Sequence, residues 1–195
     1  MRIVGGEHRG RALKAPEGAA TRPTSDRARE AVFNILEHAP WSPGLVDARV
    51  IDLFAGSGAL GLEALSRGAA WCLFVENDAA ARGVIRDNVE ALGGQGELFG
   101  RTRIHRRDAT DLGQRPGADG PPFDVAFLDP PYAKGLGPPA LAQLADGGWL
   151  AEGALVVFER GADEPAPPTP GFERLDERRY GAAKVLFARW PGPGG

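Results

Sequence analysis

The chain has 195 residues, a formal net charge of −3, 43% apolar and 25% charged residues, values that suit one folded globular domain of ordinary size, two at most. Its 28 glycines and 17 prolines stay below collagen-like or low-complexity levels, and the single cysteine, Cys72, excludes a disulfide scaffold. No run of about 18 apolar residues offers a membrane span and the amino terminus has no apolar leader, so a cytoplasmic location is expected.

Residues 1–14 carry Arg2, Arg9, Arg11 and Lys14 against one acidic residue, Glu7. Residues 2–4 and 11–14 flank glycines and predict a short hairpin. A helix fits 25–39, with Ala28, Ala31, Val32, Ile35 and Leu36 on one face and Thr24 or Ser25 as its cap. Some 40 residues are too few for an independent domain. Residues 1–40 are therefore expected as an appendage packed on a body formed by 41–195. Arg22, Arg27 and Arg29 follow the first basic cluster, and a second knot lies at Arg101, Arg103, Arg106 and Arg107. Basic patches on a weakly acidic body suit a polyanion touched at one face. Each cluster taken alone reads equally well as solvated surface.

Beyond residue 48 the pattern alternates between strand and helix. Apolar runs at 49–55, 71–76, 123–128 and 154–159 suit strands covered on both faces, with a weaker one at 102–107. Helices are predicted at 59–67, 78–92 and 137–146. The second places Ala81, Val84, Ile85, Val89 and Leu92 on one face behind Asp78 as N-cap. This alternation predicts an α/β fold with a mostly parallel, doubly wound sheet. Residues 172–179 and 184–190, separated by a Gly-Ala-Ala turn, predict an antiparallel pair closing one edge.

The segment from Asp52 to Gly61 reads Asp-Leu-Phe-Ala-Gly-Ser-Gly-Ala-Leu-Gly, so Gly56, Gly58 and Gly61 fit G-x-G-x-x-G between a strand and a helix. Glycines there let the chain turn and let a ligand approach the backbone. Glu76 ends the next strand, where a carboxylate accepts ribose hydroxyls. These features suit NAD and S-adenosylmethionine alike.

The strand at 123–128 runs into Asp129-Pro130-Pro131-Tyr132. Two prolines remove two backbone donors and leave carbonyls free to accept. An acid, bare carbonyls and an aromatic ring at a parallel strand's carboxyl end match an exocyclic amine on a planar base. Asp129 and a proline carbonyl can hold the two N–H bonds, while Tyr132 stacks on the ring. The nitrogen lone pair is thereby aimed at an electrophile, and Asp129 acts as an orienter rather than a general base. Methyl transfer from S-adenosylmethionine to an amino nitrogen follows, with no metal. A strand end capped by Pro-Pro would need none of this chemistry.

Asp52-Leu-Phe-Ala-Gly-Ser-Gly58 together with Asp129-Pro-Pro-Tyr132 resembles the Rossmann-like amino-methyltransferases. Residues 2–11 and 21–30, containing Arg22-Pro-Thr-Ser-Asp-Arg27, and the segment Gly61–Gly68 resemble the RsmD-type family more closely. That family methylates N2 of one guanine in small-subunit (16S) ribosomal RNA. The resemblance spans about residues 1–160 and leaves 93–100, 113–122 and the terminal Pro-Gly-Pro-Gly-Gly without a counterpart. It implies a Rossmann-like methyltransferase domain over 41–195 with an RNA-contacting appendage over 1–40. Arg22, Thr24, Asp52, Phe54, Gly56, Ser57, Gly58, Glu76 and Asp108 would meet the cofactor, Glu76 at the ribose and Asp108 at the adenine. Asp129, Pro130, Pro131 and Tyr132 would hold the guanine, and Arg2, Arg9, Arg11 and Lys14 the RNA phosphates. The expected partner is small-subunit rRNA within an assembled or assembling subunit, with no membrane and no metal.

A DNA methyltransferase would use the same tetrapeptide but needs a target-recognition region that 195 residues scarcely accommodate. A protein-glutamine methyltransferase leaves the basic amino terminus unexplained. An NAD-dependent oxidoreductase leaves Asp-Pro-Pro-Tyr idle, and a non-enzymatic RNA-binding module explains the arginines alone. His8, His38 and His105 lack metal-ligand spacing, and Cys72 and Trp149 read as packing.

Overall fold

The computed structural model describes residues 1–18, 25–94 and 96–194. The element order is α1 (Asp26–His38), β1 (Arg49–Leu53), α2 (Ala59–Ser66), β2 (Trp71–Val75), α3 (Ala79–Gly93), β3 (Thr102–His105), β4 (Phe123–Leu128), α4 (Gly137–Asp146), β5 (Leu150–Gly161), β6 (Glu173–Tyr180) and β7 (Ala183–Arg189). The seven strands form one sheet in the order β3-β2-β1-β4-β5-β7-β6. Strands β1 to β5 pair in parallel; β7 runs antiparallel to both β5 and β6. The predicted α/β fold, with its parallel sheet and antiparallel edge, is the fold observed. Strand order reverses between β1 and β4, and such a switch point opens a crevice at the carboxyl ends of the strands.

Two apolar layers cover the sheet. One joins α1, α2 and α3 through Phe33, Leu36, Leu62, Ile85 and Val89 to Val50, Phe74 and Phe127. The other packs Leu141 and Leu144 of α4 and Trp149 on Ile51, Leu53, Ala126 and Phe158. Cys72 and Trp149 are fully buried, as their apolar settings predict, and burial pushes the Cys72 thiol well up. Among the described residues no helix is long and apolar enough to cross a membrane.

The amino-terminal segment forms a minimal hairpin with one bridge, Arg2 to Ala12, and its Ile3 and Leu13 share the first apolar layer. Two buried side chains of α2 strap it down. Glu63 accepts the amides of Val4 and Gly5 at 3.0 and 2.9 Å, and Ser66 Oγ donates to the Gly5 carbonyl at 2.7 Å.

Helix α1 is capped by Ser25, whose hydroxyl accepts the Ala28 amide at 3.1 Å; the alternative cap, Thr24, lies outside the described residues. Its buried face is Ala28, Arg29, Val32, Phe33 and Leu36, whereas Ala31 and Ile35 are only partly covered. The expected face is turned by about one position because Arg29 is drawn inward by carboxylates. Its Nη2 lies 2.9 Å from Asp26 Oδ1 and its Nε 3.6 Å from Glu63 Oε2. In α3, Val84 is likewise only partly covered, and Asn88 takes a buried position instead. Strand β5 begins at Leu150, four residues before its apolar run. Gly153 sits at φ +80° there, and pairing with β4 shifts register between Phe123 and Val125.

Candidate active site

A cavity of about 790 Å³ opens at the switch point, lined from β1 by Asp52 and Phe54 and from the glycine loop by Gly56 and Ser57. Glu76 lines it after β2, Asp108 after β3, and Asp129, Pro130, Pro131 and Tyr132 after β4. Residues far apart in the chain meet because parallel strands deliver every carboxyl end to one rim. Met1, Pro16 and the buried Arg29 complete the wall, so the amino-terminal segment borders the same space.

The loop from Phe54 to Gly58 is an αL-rich turn. Phe54 lies at φ 56°, Gly56 at 58° and Gly58 at 79°. Glycine adopts that region at little cost, but Phe54 does so with strain of roughly 1–2 kcal/mol. Ala133, directly after the tetrapeptide, is a second such residue at φ 59°, its amide donating to Glu164 Oε1 at 2.6 Å. Strained backbone thus flanks the cavity on both sides, as it does where ligands are held.

The three glycines divide their work. Gly56 borders the cavity. Gly58 does not: it is the αL residue before α2, and a Cβ there would lie 3.2 Å from Phe74. Gly61 is a packing residue, since a Cβ would fall 2.5 Å from Phe74 Cε1 and 2.6 Å from Cys72 Sγ. Gly58 thus serves the conformation of the loop that presents Gly56 and Ser57 to the cavity.

Three of the loop's amides already have acceptors, two of them carboxylates. Gly56 N donates to Glu76 Oε2 at 2.8 Å, Gly61 N to Asp52 Oδ2 at 3.0 Å, and Gly58 N to the Ala55 carbonyl at 2.8 Å. Asp52 is wholly buried, and its Oδ1 has no hydrogen-bond partner among the described residues. Burial and the nearby charge of Glu76 push its carboxyl up to about 8, against the Gly61 hydrogen bond that lowers it. Five wall carboxylates (Asp52, Glu76, Asp78, Asp108 and Asp129) face two arginines, Arg29 and Arg107. A pyrophosphate would meet a surplus of negative charge here. A cationic ligand finds an orphaned carboxyl oxygen.

Asp108 is exposed, and its Oδ1 accepts the Thr110 amide and hydroxyl at 2.8 and 2.7 Å, which fixes the side chain at the rim. Tyr132 Oη donates to Glu159 Oε1 at 2.8 Å, so the ring is held from the end of β5. Arg22 lies, with Thr24, outside the described residues. Arg2, Arg9, Arg11 and Lys14 are all exposed on the hairpin. Arg2 donates to the Gly10 carbonyl, Arg11 to the Ala91 carbonyl, and Lys14 lies 3.3 Å from Asp87 Oδ2. The second knot is largely structural. Arg101 donates to the Ala69 carbonyl and Arg107 to the Leu112 carbonyl, while Arg103 pairs with buried Asp119 at 3.0 Å. His105 stands 3.2 Å from the same Asp119; burial and the two arginines Arg103 and Arg107 hold its pKa down against that carboxylate.

Sequence reasoning missed Arg29, Asn88 and Glu159, because each reads there as a polar residue on a helix or strand. Asn88 Nδ2 donates to the carbonyls of Ser57 and Lys14 and its Oδ1 accepts the Lys14 amide, joining glycine loop to hairpin. Only the Asn at a position flanked by Ile85 and Val89 carried a hint of this.

The sequence is 40% identical over 188 residues to "Ribosomal RNA small subunit methyltransferase D" of Escherichia coli strain K12, covering 96% of this chain and 87% of that protein. A protein of the same name from Haemophilus influenzae is 34% identical over 181 residues, covering 93% and 89%. A solved Escherichia coli structure with a provisional methyltransferase name, yhhF, superposes with a TM-score of 0.82 at 37% identity over 98% of both chains. The family model described as "Conserved hypothetical protein 95" matches residues 1–189. With relatives this similar along nearly its whole length, the chain belongs to that family.

Proposed function

We propose that the protein transfers a methyl group from S-adenosylmethionine to the exocyclic N2 of a guanine in small-subunit ribosomal RNA. One observation carries this reading: Asp52 and Glu76, which suit a cationic nucleoside, line the same cavity as Asp129-Pro-Pro-Tyr132, which suits a planar amine. The names of the relatives support rRNA as the substrate class. The surplus of wall carboxylates and Asp52 Oδ1, unpartnered among the described residues, favour this cationic cofactor over the pyrophosphate of NAD.

S-Adenosylmethionine, when bound, supplies an electrophilic methyl on a sulfonium. Glu76, already oriented by the amides of Gly56 and Asp78, has lone pairs left for ribose hydroxyls. Asp108 at the rim serves the adenine, and Asp52 Oδ1 serves the positive methionine portion. Asp129 and a proline carbonyl accept the two amino hydrogens of the guanine, and Tyr132, braced by Glu159, covers the ring. The nitrogen bonds the methyl carbon as the carbon–sulfur bond breaks, and the proton then lost from nitrogen leaves to solvent. Alkylation makes the amine acidic, so Asp129 orients and need not deprotonate first.

The hairpin and α1, residues 1–40, form the RNA-facing part, with Arg2, Arg9, Arg11 and Lys14 near phosphates and Arg22 and Thr24 beside the cofactor. A modest overall charge suits a substrate presented within an assembling small subunit, whose proteins share the docking. The test is incubation with labelled cofactor and unmethylated small subunits, free rRNA or DNA. Label on guanine N2 of rRNA is expected, and Asp129→Ala should bind cofactor yet transfer nothing. Label on adenine or on DNA, or full activity of Asp129→Ala, would overturn the reading.

A further inference from the structure

Beyond the target tetrapeptide lies a second cavity of about 240 Å³, between Pro130, Pro131 and Tyr132 on one side and the proline run 165–168 on the other. Pro130, Pro131, Tyr132 and Leu136 also line the main cavity, so whatever fills the second lies against whatever fills the first. Phe158 and the prolines give it flat apolar walls, and the buried Arg160 lines it too.

From Arg160 in the wall of this cavity, the edge strands align three cations. Arg160 of β5 pairs in register with Lys184 of β7, which pairs with Arg179 of β6. Residues paired this way share one face with neighbouring side chains, and like charges so placed repel. Arg160 is neutralised by Glu177, its Nη1 3.1 Å from Oε2 and Nη2 3.3 Å from Oε1. Glu177 is itself held below the usual carboxylate range, first by Arg160 and then by Lys184 and Arg174. Arg179 is exposed, its Nε donating to the Gly181 carbonyl; Lys184 is half-buried with no ion pair among the described residues. Two cations thus stand without a close ion pair among the described residues on the face that carries Arg160. The slot's own carboxylates, Glu159 and Glu164, are engaged by Tyr132 Oη and by the amides of Ala133 and Gly161.

We infer that this slot holds the base of a nucleotide next to the target guanine, its phosphate met by Lys184 and Arg179. A base has apolar faces for pyrrolidine and phenyl walls, and its phosphate needs fixed cations at the rim. The proposal rests on the rRNA reading above. It gives the RNA a second hold, on the antiparallel edge strands, apart from the basic hairpin seated on α2 and α3.

The test uses the full chain with unmethylated small subunits and free rRNA. Arg179→Glu with Lys184→Glu is expected to raise KM for the subunits about tenfold with kcat nearly unchanged. The slope of log K against log salt for rRNA binding should fall by about 1.4, two contacts at ~0.7 each. Cofactor affinity should not move. Ala166→Trp, placed in the exposed wall of the slot, should raise KM alone. An unchanged KM and salt slope in the charge-reversed variant, or a loss confined to kcat, would overturn the proposal. A parent protein that methylates no rRNA would sink the functional reading instead, while the salt slopes would still decide this one.

Discussion

Asn88, buried in α3, donates from Nδ2 to the carbonyl of Ser57 in the glycine loop at 2.9 Å. The same carboxamide pairs with both backbone groups of Lys14, accepting its amide at 2.8 Å and donating to its carbonyl at 3.0 Å. One side chain therefore ties the basic hairpin to the loop that borders the cofactor space.

Replacing Asn88 by Leu keeps the volume and removes all three bonds. The groups left behind sit where water is scarce, at roughly 1 kcal/mol or more each. Urea unfolding should show a loss of about 2–4 kcal/mol, and calorimetric titration should show S-adenosylmethionine binding weakened several-fold. Unaltered cofactor affinity would mean that Ser57 is held by other means.

Gly61 illustrates a different constraint. Helix α2 crosses β2 so closely that a methyl at 61 would run into Phe74 and Cys72, neither of which can retreat from a filled core. Gly61→Ala should cost about 1–3 kcal/mol through overpacking. Thermal melting is the direct measure, and the loss should appear without cofactor as well as with it.

That split among glycines marks where the sequence was legible. Strand and helix positions could be read because β2 is apolar throughout and β1 and β4 nearly so, and Asp78 announces α3 by capping Ala81 at 2.8 Å. Asp52, Glu76, Asp108 and Asp129 could be placed at one rim because parallel strands all end on the same side. What stayed hidden was tertiary pairing of polar groups. The inward turn of Arg29 depends on Glu63, 34 positions later, and the brace of Tyr132 on Glu159, 27 positions away. Periodicity records which residues are apolar, and it treats a buried arginine paired with carboxylates as surface. The early start of β5 was hidden for another reason: Gly153 reads as a break, yet at φ +80° it lets the strand continue through a bulge.

Asp52 should make the stability of the free protein fall with rising pH. Its carboxyl titrates at about 8 when folded, against an ordinary 3.8. Below pH 4 both states hold the proton, so its contribution is intact. Between about 4 and 8 only the unfolded chain ionises, and folding loses on the order of a few kcal/mol. Asp52→Asn keeps an acceptor for Gly61 and should flatten that slope in unfolding measured from pH 5 to 8. A sulfonium or ammonium arriving near Oδ1 favours the ionised form. Cofactor binding should therefore release a proton below pH 8, visible as heat that varies with the buffer's ionisation enthalpy. Identical heats in all buffers would refute that role.

Glu63 is the anchor of the amino-terminal hairpin, and its loss should be felt there first. Its two oxygens serve the amides of Val4 and Gly5 and the guanidinium of Arg67, 3.0 Å away, with Arg29 close by. Its loss leaves Arg29 with Asp26 alone and Arg67 with Glu37 alone, at a cost below the roughly 3–5 kcal/mol of a wholly unpaired buried charge. Glu63→Gln preserves shape and one acceptor, so the sheet should still form. The hairpin should loosen, and trypsin should then cut after Arg9 or Arg11 many times faster than in the parent. Fragment masses identify the cut directly. Equal cleavage rates in parent and variant would show that Ser66 and the apolar seat of Ile3 and Leu13 suffice to hold the hairpin on α2.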